Sequence, residues 1–184
     1  MVEECWAYEE LRYFDYCMRL WDFPKPTIAQ VQGACIAGGF MLANMCDLVV
    51  AADDALFGDP VTHTMGAVAT EVLIHPWVMG LRQAKEMLYT GEYIDAARAL
   101  QVGLLNHVVE VGQVFEQAMA LARQIAANAP ISVRRVKAMA LRGLDMPVAT
   151  ALRQDPGLSP YYSEDRKEGV RARQEKRPPV WKNR

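Results

Sequence analysis

The sequence predicts an α/β fold, on three observations. Lys25–Pro60, KPTIAQVQGACIAGGFMLANMCDLVVAADDALFGDP, passes from a strand-like run through a small-residue turn and an apolar helix-length block to a second β-rich run. Beyond it, amphipathic segments alternate with caps and glycine stops, as helices do. The 184 residues are 52% apolar and 23% charged, a balance that supports one globular domain with a sizeable core and excludes a disordered or fibrous chain.

The first element expected is a helix over Glu3–Trp21, with Trp6, Tyr13, Cys17 and Leu20 near helical spacing. Phe23-Pro24-Lys25-Pro26 ends it, because residues before proline avoid the α region. Thr27–Val31 reads as a short buried strand, Gly33–Gly39 as a turn and Phe40–Cys46 as a buried helix. Leu48–Ala52 is the next strand, and Ala55–Phe57 begins another extended piece. Thr70–Met79 is expected to be helical, with Pro76 either inside the helix or opening a second one. Leu81–Tyr89 is a helix closed by Thr90-Gly91, and Asp95 caps Ala96–Val102. Leu105–Val109 is a strand and Val114–Asn128 a long helix. Ser132 is expected to cap a helix reaching Leu141, and Ser163 a final one over Ser163–Glu175.

Charge and motifs narrow the function. A net charge of −2 gives no global field for nucleic acid, and no basic stripe with interleaved aromatics is present. No apolar run reaches membrane-spanning length, and the chain reads as having no signal peptide. Cys5, Cys17, Cys35 and Cys46 form no C-x-x-C pair and have no His at ligand spacing, so no metal site is expected and a reducing cytoplasm fits. The glycine turn lacks both the dinucleotide and the phosphate-loop spacing. Gly38 and Gly39 would let a ligand approach the backbone, and helix-opening N–H groups there would suit a developing enolate oxygen. The same pair also reads as a tight connection that binds nothing.

The order of blocks resembles the enoyl-CoA hydratase/isomerase (crotonase) superfamily. The resemblance runs from Lys25–Pro60 through GLRQAKEMLYTGEYIDAARALQVGLLNHVV and ALARQIAANAPISVRRVKA to SEDRKEGVRARQEKRPPVW. It implies a crotonase-like spiral of ββα units, truncated at its N-terminus, over residues 1–110. A C-terminal helical region over 111–184 would build homotrimers or hexamers. It also implies a lyase or isomerase of fatty-acid type with an acyl-CoA thioester as substrate and no cofactor. Gly38 occupies the position of the second oxyanion donor, with Gly39 beside it on the ligand side. Lys176, in Glu175-Lys176-Arg177, falls where relatives place a lysine near the CoA phosphates.

Three departures accompany the resemblance. The family's N-terminal blocks, which supply the other oxyanion donor, find no counterpart in this chain. The two glutamate positions that deliver water in hydratases are Met41 and Val61. The following glycine-rich segment reads MGAVATEVLIHPWVMG, in which Glu71 is the carboxylate available as a lone acid/base. His63 and His75 are weaker candidates, and Asp59 reads as a local turn residue. The expected function is enolate chemistry on an acyl-CoA by Gly38 and Glu71. The alternative is a non-catalytic subunit that oligomerises and binds acyl-CoA without turnover.

Overall fold

The first four strands of this chain alternate between two sheets, as a ββα repeat does. The computed structural model describes residues 7–8, 10–68, 70–154, 157 and 159–184, with the side chains of 12, 13, 70 and 71 outside that description. Two compact units divide it, the first over 1–23 and 27–119, the second over 24–26 and 120–184.

In the first unit, a π-helical turn Glu10–Asp15 leads into α1 (Tyr16–Trp21); residues 3–6 and 9 of the expected opening helix lie outside the described residues. Strand β1 (Ile28–Val31) follows, then β2 (Ala34–Ile36), α2 (Gly38–Asn44), β3 (Leu48–Ala52) and β4 (Leu56–Gly58). β3 lies between β1 and β6 (His107–Val109), all parallel, with Ile28 opposite Leu48 and Val50 opposite His107. The second sheet has the order β2-β4-β5, where β5 is Ile94–Asp95; β2 and β4 are parallel and β5 antiparallel. Among the described residues β1 and β2 are each paired along one edge only.

The stretch Gly33–Gly39 is therefore not one turn, as the sequence suggested. Ala34–Ile36 forms a strand whose register sets Ile36 beside Gly58. Small residues hid it, because Ala34 and Gly33 carry little β propensity of their own and the pairing partner supplies the order. The core between the sheets and α2 holds Phe40, Val49, Ala51, Phe57, Met87 and Leu104. Phe40 and Phe57 stand 6.1 Å apart at 58°, a tilted aromatic pair.

After β4 come α3 (Val61–Thr64), a 3-10 turn Thr70–Leu73, α4 (His75–Met79) and α5 (Leu81–Thr90). Pro76 opens α4 at its first turn, where its missing N–H is no loss. Gly91 closes α5 at φ 70°, its N–H bonded to Met87 O at 2.8 Å. Asp95 caps α6 (Ala96–Gln101), accepting from Arg98 N at 2.7 Å.

In the second unit, α7 (Val114–Ala126) ends and is followed by α8 (Pro130–Asp145), α9 (Val148–Ala151), a 3-10 turn Pro160–Tyr162 and α10 (Glu164–Gln174). Ser132 is not the cap of α8; the helix begins earlier because Pro130 takes its first position. Ser163 caps α10 as expected, accepting from Arg166 N at 3.1 Å. The C-terminal stretch folds back along α10. Buried Asp165 accepts from Lys182 N at 2.6 Å, and Trp181 donates its indole N–H to Ala127 O at 2.8 Å. Glu168 takes both Arg177 guanidinium nitrogens, at 2.6 and 3.1 Å, and the Val180 N–H at 2.9 Å.

Those bonds, Arg177 first and the Val180 amide second, hold the Glu168 carboxyl down to about 2. A carboxyl depressed on folding contributes stability above its unfolded value near ~4.3, and the contribution is lost as pH falls towards the folded value. The Val180 amide resonance is accordingly expected to titrate with a midpoint close to the depressed value. A midpoint at the ordinary glutamate value, or no change in Glu168→Gln, would show that this contact does not hold the tail.

Candidate functional site

The turn between β2 and α2 is built by a bond and a strained residue. Ala37 donates its N–H to Gly58 O at 3.0 Å, which ties the turn to the end of β4. Ala37 itself lies at φ 49°, ψ −116°, a conformation that L-residues seldom adopt and that costs about 1–3 kcal/mol. The first intrahelical bond of α2 runs from Met41 N to Ala37 O at 2.8 Å, so the N–H groups of Gly38, Gly39 and Phe40 have no acceptor within the helix. An added Cβ at Gly38 or Gly39 would meet nothing within 4 Å, so the approach to this backbone is open. Gly39 lines a groove of about 430 Å³ together with Gln30, Cys35, Leu42 and Cys46. Burial pushes the Cys35 thiol up to about 11, so it is a protonated wall of the groove and not a nucleophile.

Neither Met41 nor Val61 carries a proton, and both are buried. Met41 packs with Cys17 and Ile74, its sulfur 3.9 Å from the Cys17 thiol. Glu71 is on the 3-10 turn Thr70–Leu73, which packs against α2; its side chain lies outside the described residues. His63 is exposed. Lys176 belongs to the second unit, exposed just past α10 at φ 53°.

Asp59 overturns its reading as a local turn residue. It is fully buried and accepts from His75, sixteen residues on, with Nε2 to Oδ2 at 2.8 Å. The other ring nitrogen of His75, Nδ1, lies 3.1 Å from the Asn44 amide nitrogen. Because the Asn44 amide donates, Nδ1 accepts and Nε2 carries the proton towards Asp59. The His75 ring also lies against Phe40, with centroids 4.5 Å apart at 31°. Oδ1 of Asp59 is buried without a hydrogen-bond partner among the described residues, an arrangement that costs about 1–3 kcal/mol. Sequence reasoning treated Asp59 and His75 separately and passed over Asn44. The one hint was a polar residue at each of three otherwise apolar positions.

The sequence profile of the Enoyl-CoA hydratase/isomerase family matches residues 6–184. The chain belongs to that family. Among its relatives, the carnitinyl-CoA dehydratase of Citrobacter koseri is 36% identical over 177 residues, covering 90% of this chain and 66% of that protein. The mitochondrial enoyl-CoA hydratase domain-containing protein 2 of Mus musculus is 38% identical over 166 residues, covering 85% and 55%. The crystal structure of an enoyl-CoA hydratase/carnithine racemase from Magnetospirillum magneticum superposes with a TM-score of 0.89 at 32% identity, covering 99% of this chain and 68% of that one. The crotonase-like α/β fold is thereby established, and this member of the enoyl-CoA hydratase/isomerase family spans between 55% and 68% of each of these three chains. No described helix is long and apolar enough to cross a membrane.

Proposed function

We propose that this family member binds an acyl-CoA thioester and stabilises its enolate, with the Gly38 N–H on the thioester oxygen and Glu71 moving the proton. The observation that carries the reading is the N–H row at Gly38 and Gly39, which has no acceptor among the described residues, is reached through open space and is preceded by a strained Ala37. Strain of this kind accumulates where geometry serves a ligand. Gly39 walls the ligand groove of the first unit; Lys176 falls where relatives place a lysine for the CoA phosphates, often one from a neighbouring subunit. A lone acid/base suits isomerisation or a reduced form of hydration. No cofactor enters the chemistry.

A second reading is specifically favoured by Met41 and Val61. Both hydratase glutamate positions are buried apolar side chains, as a subunit that binds acyl-CoA without turnover would have them. Either form is proposed to work in the cytoplasm as a homotrimer or hexamer. Support for assembly comes from α8 and α9, where Val136, Met139, Leu144 and Val148 are exposed apolar residues of one unit.

Calorimetric titration with acetoacetyl-CoA, an enolisable thioester, tests the site. Saturable binding is expected. A folded sample that takes up no ligand would remove the acyl-CoA reading for this chain.

A further inference from the structure

We propose that Asn44, His75 and Asp59 are positioning residues, which set the angle of the helix that begins at Gly38. The inference rests on the reading of Gly38 as the enolate donor and goes beyond it by naming what holds that donor in place.

α2 is attached to the end of β4 twice. At its start, Ala37 N–H binds Gly58 O directly. At its last residue, Asn44 binds His75, and His75 binds Asp59, the residue that follows Gly58. Attachment at both ends of a seven-residue helix, about 10 Å long, fixes its tilt as well as its place. Phe40, one turn before Asn44 on the same face, rests on the His75 ring and adds a third point of contact.

Packing alone does not account for the choice of residues. Asn44, His75 and Asp59 are 2%, 0% and 0% exposed, and one Asp59 oxygen is left without a partner among the described residues. Three apolar side chains would fill such a space with no polar group to satisfy, and replacements of that kind are often neutral or stabilising. What directional bonds add is a single arrangement of the elements they join. Here those elements are α2, α4 and the end of β4, which frame the glycine turn. A donor displaced by about 1 Å loses on the order of 10²-fold in rate, so the angle of α2 is worth holding.

The test measures, for each variant, the affinity for acetoacetyl-CoA, the enolate fraction of the bound ligand from its near-ultraviolet absorbance, and the melting temperature. Asn44→Ala severs the link to α2 and leaves the His75–Asp59 pair intact. It is expected to lower the bound enolate by about tenfold or more while the chain stays folded. Asn44→Leu keeps the side-chain volume but removes the donor to His75 Nδ1; the same fall is expected, and it serves should Asn44→Ala not fold. Asp59→Asn retains an acceptor for His75 Nε2–H and is expected to restore near wild-type enolate. If Asn44→Ala and Asn44→Leu enolise the ligand as wild type does, the network is packing and the inference is wrong. If Asp59→Asn binds normally but stops exchange of the ligand's α-proton with solvent, Asp59 is itself the base and the positioning role is overturned. Absence of binding by the wild-type chain would reject the Gly38 reading first, and this inference with it.

Discussion

Gly38→Pro is expected to weaken acetoacetyl-CoA binding by about 10²-fold, because it removes the one hydrogen that the enolate oxygen would accept. Proline is well suited to the first position of a helix, where its missing N–H forfeits no intrahelical bond. Gly38 holds that position in α2. A following proline also restricts Ala37, which lies at φ 49°, ψ −116°, so loss of binding reports the N–H and not the turn when the Ala37 amide of the variant keeps its bond to Gly58 O, read as hydrogen-exchange protection. Gly38→Ala is the matched control. Its Cβ meets no protein atom within 4 Å and the N–H stays, so it is expected to fold as wild type and to lose much less affinity. Equal affinity in wild type and the proline variant would remove Gly38 from the site.

Glu71→Gln carries the other large effect. Proton transfer by a placed carboxylate contributes about 10²–10⁴-fold, and exchange of the thioester α-proton with deuterated solvent should slow by an amount in that range. Binding should change little, since glutamine keeps the size and polarity of the side chain. Glu71 stands on a turn packed against α2, while Met41 and Val61 have no proton to move and Asp59 is turned inward to His75. Unchanged exchange in Glu71→Gln would remove Glu71 as the acid/base, whereas a wild-type chain that binds the thioester and exchanges it no faster than solvent does would leave the second reading, a binding subunit without turnover, as the better account.

The fold was largely legible because most elements announce themselves locally. Asp95 and Ser163 cap the helices they were expected to cap, and Leu48–Ala52 is the β-rich run it looked like. What stayed hidden was non-local. Ala34–Ile36 is a strand only because Leu56–Gly58 lies beside it. The start of α8 was misplaced by taking the serine as a cap when Pro130 opens the helix two residues earlier. In the site, the glycines were readable from composition and family resemblance. The union of Asn44, Asp59 and His75 was not, since residues 31 and 16 apart in sequence meet only through the packing of α2 and α4 onto β4. The strain at Ala37 likewise has no signature in an alanine.

The one-sided pairing of β1 and β2 has a consequence for how the chain behaves in solution. A free strand edge is a row of amide donors and carbonyl acceptors that another backbone can adopt as a template. Natural edges are usually blunted by charge, proline or a bulge. Ile28–Val31 and Ala34–Ile36 contain no charged residue and no proline, so neither edge has a gatekeeper of its own among the described residues. Both edges belong to the two strands that lead into the Gly38 turn. A peptide or a second molecule that extended the second sheet at β2 would pair with the strand that Ala37 joins to α2.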